Sequence, residues 1–321
     1  MKRLSLRGLK KPRPDPADEQ ISPMRRLFHR SPLSARERRI KHASAAFLAP
    51  SIAGTLLFFG MPFVVVIYYA LVDNPISHNF VFLNNFIALL NNTAFRLAAK
   101  NTAMFSVVAV PLAVVLSLLL AMLLDSRIPL ASQFRTFFLS PMMVPVASVV
   151  LIFQVIFHFN GALNALLARF GLAPIDWLKS EYNRYVVMIL FLWKNLGYNM
   201  ILFMAALSNI PAEILEVSTI EGCGALRKFF AIKLRYLSST ILFVAILSLI
   251  NSFKVFREVY LLTGDYPYDG LYLLQHFMNN TFKSLDYQRL SAAAILMALV
   301  MIVIIGVLFL IESYYGRDVE G

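Results

Sequence analysis

Charge is the scarcest commodity in this sequence. Asp, Glu, Lys and Arg together make up only 15% of its 321 residues, against 59% hydrophobic residues. A soluble domain carries about a quarter charged residues, so this chain lacks the polar cover of an ordinary water-soluble globule. Cysteine is nearly absent. The single Cys223 excludes an intramolecular disulfide and offers no thiolate set for a metal. The histidines at 29, 42, 78, 158 and 276 form no cluster, so no metal and no cofactor is expected. No Gly-rich phosphate loop of the G-x-x-x-x-G-K-[ST] type occurs, nor does any nucleophile–base arrangement. The chain is therefore not expected to be an enzyme. No cleavable signal peptide is visible, because the first apolar segment, from about Ala43, is too long for a signal h-region.

What the chain has instead is long apolar runs. A helix needs about 20 mainly apolar residues to cross the ~30 Å hydrocarbon layer. Six runs qualify, at about 45–72, 103–124, 137–159, 185–207, 239–262 and 291–313. The fold class expected is all-α: a polytopic membrane protein of six transmembrane helices spanning residues 43–315, with a basic arm at 1–42 and a short tail at 316–321. Pro50, Pro62, Pro111, Pro141 and Pro145 lie within or beside these runs, where neighbouring helices can satisfy the freed carbonyls. No soluble domain is inserted and no internal repeat is apparent.

Charge sign sets orientation. Residues 1–42 hold 13 of the 30 Lys and Arg. Arg127, Arg135, Arg227, Lys228, Lys233, Arg235 and Arg317 fall on the same side, and the opposite loops are poorer in cations. The positive-inside rule then puts both termini in the cytoplasm. The arm has no aromatic interleaving, so its charge favours lipid headgroups and topology over nucleic acid. Its prolines at 12, 14, 16, 23 and 32 argue for disorder across much of it.

The most informative segment is the cytoplasmic loop at 208–238, between the fourth and fifth runs. Pro211 suits a first helical turn, and Glu213 and Glu216 stand near its positive end. Gly222 and Gly224 end that helix or turn the chain. A second amphipathic stretch follows, apolar at Leu226, Phe229, Phe230, Ile232 and Leu234 and basic at Arg227, Lys228, Lys233 and Arg235. On these grounds alone the segment is a surface helix–turn–helix, equally at home lying on lipid.

Polar residues inside the runs are the other candidates. Lys194, Asn195, Tyr198 and Asn199 recur at helical spacing in the fourth run. Asn251, Lys254 and Glu258 follow at i, i+3 and i+7 in the fifth. Two readings stand level: a translocation path offering donors and acceptors, or interhelical hydrogen bonding with snorkelling lysines and an Arg257–Glu258 contact near the interface.

The 208–238 segment resembles the signature loop of binding-protein-dependent ABC importer permeases. Glu216 fills the Glu position, Gly222 the Gly position, and Phe229, Ile232 and Leu234 the later apolar positions. Val217 and Ser218 stand where alanines are usual, Glu221 for Asp, Cys223 for Ala and Arg235 for Pro. Further segments resemble the carbohydrate-type subfamily, and its first permease in particular: Ala49-Pro50, Lys100-Asn101-Thr102, Phe134-Arg135-Thr136 through Pro141, Gly161 with Asn164, Asp176-Trp177-Leu178, and Glu258-Val259-Tyr260 through Thr263-Gly264. The resemblance implies a cell-membrane permease subunit passing a sugar or polyol inward. It implies two ATP-binding-cassette subunits, a second permease and an external solute-binding protein as partners. It assigns Glu213, Glu216, Glu221, Gly222, Leu226, Phe229 and Ile232 to ATPase coupling. A self-sufficient ion-coupled transporter is the alternative, but it would need acidic couplers deep in the membrane, and no Asp or Glu lies near the middle of a run.

Overall fold

A computed structural model describes residues 35–74, 76–125, 129–179 and 181–315. The expected arm through residue 34, the tail at 316–321 and Arg127 lie outside the described residues. Among those described the chain is helical, with no strand; Val72 and Phe80 make one isolated antiparallel pairing. Among the described residues, six helical segments are long and apolar enough to cross a membrane: Ala43–Leu71, Thr93–Asp125, Val146–Arg169, Asn183–Ser208, Ser238–Thr263 and Tyr287–Tyr314.

The chain divides into two compact units, one ending at Phe63 and the other beginning at Val64. In the first, helix α1 (Ala35–Thr55) starts inside the basic arm and passes through a π-helical turn at Leu56–Gly60. The large apolar side chains Phe47, Leu56, Phe58 and Phe59 are exposed, a surface suited to lipid rather than to water.

The second unit holds the rest. Helix α2 (Met61–Leu71) runs into it from the boundary. It is followed by α3 (Asn84–Asn91), α4 (Thr93–Asp125), α5 (Ala131–Met143), α6 (Val146–Phe157), α7 (Ala162–Arg169) and α8 (Asn183–Ser208). Then come α9 (Ala212–Ile220), α10 (Ala225–Lys228), a π-helical turn at Phe229–Lys233, and α11 (Leu234–Tyr236). Helices α12 (Ser238–Lys254), α13 (Phe256–Thr263), α14 (Leu274–Lys283) and α15 (Tyr287–Tyr315) complete it.

Helix α4 is the spine of this unit, and its sequence shows why. Ala98, Thr102, Ser106, Ala109, Ala113, Ser117 and Ala121 are all buried. They recur every three or four residues, so they form one stripe of small side chains. In lipid, helices associate by close packing and interhelical hydrogen bonds rather than by hydrophobic expulsion, and small residues allow that approach. The stripe serves two cores. One gathers Ala109 and Ala113 with Val149, Phe153, Val187, Leu190 and Val259. The other gathers Leu118 and Ala121 with Met200, Phe203, Leu207, Leu237 and Val244.

The structure divides the apolar stretch at 137–159 into two helices. Val144 precedes Pro145 and is extended (φ −87°, ψ 132°), so α5 stops at Met143 and α6 starts afresh at Val146. The ring of a proline disfavours helical geometry in the residue before it. The crossing segment is consequently Val146–Arg169, shifted along the chain. Helix α4 also starts ten residues before the apolar run at 103, because Thr93–Thr102 continue it.

Helix α8 meets α5 at Gly197. A Cβ there would stand 1.9 Å from the Phe138 carbonyl oxygen and 2.5 Å from its carbon. Those are backbone atoms and cannot rotate away. Gly197→Ala is expected to destabilise the protein by about 3 kcal/mol, at the upper end for overpacking. Thermal denaturation in detergent, followed by size-exclusion fluorescence, should show a lowered midpoint, whereas Gly306→Ala, where a Cβ meets nothing within 4 Å, should not.

Candidate functional site

Two groups of residues are candidates for function: the 208–238 hairpin and a polar seam between α8 and α12–α13. In the hairpin, Pro211 stands at the N-cap, one position before α9. The helix ends in a Schellman turn. Cys223 N–H donates to the Ser218 carbonyl at 2.9 Å, Gly222 N–H donates to Thr219 at 3.0 Å, and Gly222 has φ +74°. That left-handed conformation costs an L-residue roughly 1–2 kcal/mol and glycine nothing. Gly224 then caps α10, and the Lys228 ammonium donates back to Thr219 Oγ1 at 2.6 Å, closing the hairpin on itself.

Ile210, Leu215 and Phe229 anchor the hairpin to the core around Phe203, Leu207 and Leu237. The opposite face is open. Glu213, Glu216 and Glu221 are exposed, as are Val217, Ile220 and Leu226. Glu213, Glu221 and Ile232 line a shallow hollow of about 310 Å³ with Ile214, Val217 and Ser218. Glu216 and Leu226 lie outside that hollow. The arrangement is a rigid turn presenting mixed acidic and apolar side chains.

The seam joins helices by a series of polar contacts. Asn199 Nδ2 donates to Ser248 Oγ at 3.0 Å, and Asn251 Nδ2 donates to Asn195 Oδ1 at 2.8 Å. The Lys194 ammonium pairs with Glu258 Oε1. Two helices running in opposite directions thus exchange contacts at 199–248, 195–251 and 194–258. Ser252 adds the spine, with its hydroxyl 2.8 Å from that of Ser106. Glu258 is 5% exposed, and its Oε2 is buried without a hydrogen-bond partner among the described residues.

Of the candidates read from the sequence, the structure brings together Lys194, Asn195, Asn199, Asn251 and Glu258. Tyr198 is half-buried on the same helix, while Lys254 is exposed and stands outside the seam. The helix is interrupted at Val255, between α12 and α13. Glu258, two turns from Asn251, is buried against Lys194, while Lys254, one turn from Asn251, is exposed. Arg257 is exposed, and Glu258 turns to Lys194. Ser106, Ser248 and Ser252 escaped sequence reading because serines in apolar helices are too common to mark a site.

The loops at the other end of α8 are pinned by amides. Asn164 donates to the Phe159 and Ile175 carbonyls, both at 2.8 Å, and accepts from the Trp177 indole at 3.0 Å. Asn101 donates to the carbonyls of Asp269 (2.6 Å) and Tyr272 (3.0 Å), and Thr102 Oγ1 accepts from Leu274 N–H at 2.8 Å. Outside the membrane-crossing segments, the hydrogen bond from Lys283 to Asp265 (2.5 Å) lowers the carboxyl pKa and raises that of the amine. His276 is fully buried, accepts the Leu273 N–H at Nδ1 and stacks edge-on with Phe256. Burial lowers its pKa to about 4.

Two outcomes follow from these contacts. Removing one partner of a buried ion pair strands the other charge, at a cost of about 3 kcal/mol. Glu258→Gln and Lys194→Met should therefore each lower the thermal midpoint, and Lys194→Met combined with Glu258→Leu should recover most of the loss. For His276, the unfolded chain takes up a proton near pH 6.5 and the folded chain only near 4. Stability is therefore full above 6.5 and is lost as pH falls toward 4. His276→Asn keeps an acceptor for Leu273 and should flatten that acid-side loss in denaturation curves taken across this window.

Comparison with known proteins accords with this geometry. Residues 113–321 match the family described as the binding-protein-dependent transport system inner membrane component. The chain is 28% identical to the arabinooligosaccharides transport system permease protein AraP of Bacillus subtilis (strain 168), over 88% of this chain and 90% of that one. It is 29% identical to the lactose transport system permease protein LacF of Rhizobium radiobacter, over 85% and 93%. It is 27% identical to the sn-glycerol-3-phosphate transport system permease protein UgpA of Yersinia enterocolitica, over 84% and 93%. The fold is shared with a crystal structure of a bacterial ABC transporter involved in the import of the acidic polysaccharide alginate. The TM-score is 0.75 at 20% identity, covering 92% of this chain and all of that one. With its family match spanning more than half its length, the chain belongs to the binding-protein-dependent transport system inner membrane components, multi-pass membrane permeases of ATP-binding-cassette importers.

Proposed function

We propose that this permease passes a sugar or a related polyol, arriving on an external binding protein, through a pathway it shares with a second permease. Two ATPase subunits dock beneath it and supply the work. Support for the solute class comes from relatives whose names specify arabinooligosaccharides, lactose and sn-glycerol-3-phosphate transport systems. Support for the external partner comes from a fold neighbour described as a bacterial alginate ABC transporter in complex with a pentasaccharide-bound periplasmic protein.

The observation that carries the reading within this chain is the seam. Lys194, Asn195, Asn251 and Glu258 set donors and acceptors among apolar helices, and one buried Glu258 oxygen has no hydrogen-bond partner among the described residues. A sugar hydroxyl satisfies such an oxygen; a hydrocarbon chain does not. Lys254, exposed at the end of α12, extends the polar surface toward the second permease. In this reading both termini and the 208–238 hairpin face the cytoplasm. Glu213, Glu216 and Glu221 meet basic side chains of the ATPase, Leu226 and Ile232 meet apolar ones, and Phe229 holds the hairpin to the core.

The test uses the whole transporter in proteoliposomes, with saccharide-loaded binding protein outside. Gly222→Asp adds a negative charge to the docking turn, so coupled uptake should fall about tenfold or more. Gly222→Asn, whose side chain tolerates the left-handed conformation there, should retain most of it. Uptake by this chain alone, without ATPase subunits, would contradict the reading.

A further inference from the structure

On the face opposite the hairpin, the chain before α8 and the chain after α13 enclose an open cavity of about 690 Å³. Its lining includes Lys179, Thr263, Tyr266, Tyr268 and Asp269. Tyr266 and Tyr268 are 81% and 58% exposed, and flank a buried Pro267. Two large aromatic side chains held in solvent contribute nothing to a core. They are nevertheless held on a fixed frame. Asn101 grips the Asp269 and Tyr272 carbonyls, Arg184 Nε donates to Gly270 at 3.3 Å, and Asn280 donates to the Asp265 carbonyl at 3.2 Å.

We infer that this cavity is a saccharide subsite of the permease itself, distinct from the α8–α13 seam and preceding it on the way in. The inference rests on the import function proposed above. The chemistry of the lining fits a sugar. A phenol face packs against the apolar C–H face of a pyranose ring. The Asp269 carboxylate accepts from hydroxyls, the Lys179 ammonium donates to them, and Thr263 Oγ1, which already donates to the Val259 carbonyl at 2.8 Å, accepts. The volume falls in the range of small-molecule clefts. Position adds a reason. Thr263 ends the helix that carries Glu258, about 7.5 Å further along its axis, so a sugar held here stands about one and a half turns short of the Glu258 carboxylate.

The assembled transporter in lipid nanodiscs, without its binding protein, provides the test. Saturation-transfer NMR would be run with maltotriose, lactose and a uronate pentasaccharide as probes. Transfer to ring C–H protons of at least one probe is expected. Tyr266→Ala should weaken it about fivefold, Tyr266→Phe should preserve it, and Asp269→Asn should reduce it. No transfer to any of the three would overturn the inference, provided the same complex imports with binding protein present. Signals unchanged by Tyr266→Ala would also overturn it, as would a variant losing only binding-protein stimulation, which would mark a protein-docking face. If wild-type complex shows no binding-protein-stimulated ATP hydrolysis with any of these saccharides, the import reading fails first and the subsite falls with it.

Discussion

Inside a bilayer no water is available to satisfy a buried polar group, so such groups are driven to find partners in the protein. Among the described residues that constraint acts along the seam between α8 and α12–α13. Lys194 with Glu258, Asn195 with Asn251, Asn199 with Ser248, and Ser252 with Ser106 fix how α8, α12–α13 and α4 face one another. Apolar helices alone would slide in lipid with little penalty, because hydrocarbon tails are as apolar as leucine. The polar contacts set one register. The small-residue stripe of α4 and the contact of Gly197 with the Phe138 backbone bring the helices close enough to make them.

The two ends of this seam differ in character. Toward the hairpin, α8 passes through Ile210 and Pro211 into a Schellman turn whose exposed side holds carboxylates and apolar groups. Toward the other end, amides at Asn101, Asn164 and Asn280, each on a helix, pin the loops between them. In the reading proposed above, the hairpin is a stiff lever where the motor attaches and the loops are a shaped rim where solute arrives. Helix α8 connects the two rigidly, and α13 carries Glu258 just below the rim. Movement of the hairpin can therefore reach the Lys194–Glu258 pair through one continuous helix.

Much of this was legible in the residues. Six crossing helices follow from apolar run length, and the turn at Gly222 follows from glycine placed after an amphipathic helix. The break at Val144–Pro145 was legible too, yet an apolar count over 137–159 hides it, because hydropathy measures composition and not backbone geometry. Lys194 and Glu258 each stood out as charges in apolar surroundings. Their pairing did not, since they are 64 residues apart in sequence and only the packing of α8 on α13 joins them. Lys254 drew attention for the same reason as Lys194, and the structure leaves it exposed. Ser106, Ser248 and Ser252 carry no sequence signal stronger than that of any membrane serine.

The central claim is that the seam between α8 and α12 lies along the solute's route. Asn251→Cys, placed in a Cys223→Ser background within the complete transporter, tests it directly through its reactivity with a small water-soluble thiosulfonate. The account predicts modification in at least one stage of the ATP cycle, and protection when transported saccharide is present. A cysteine at 251 that stays unreactive at every stage, in a transporter that still imports, would show that the seam is only packing.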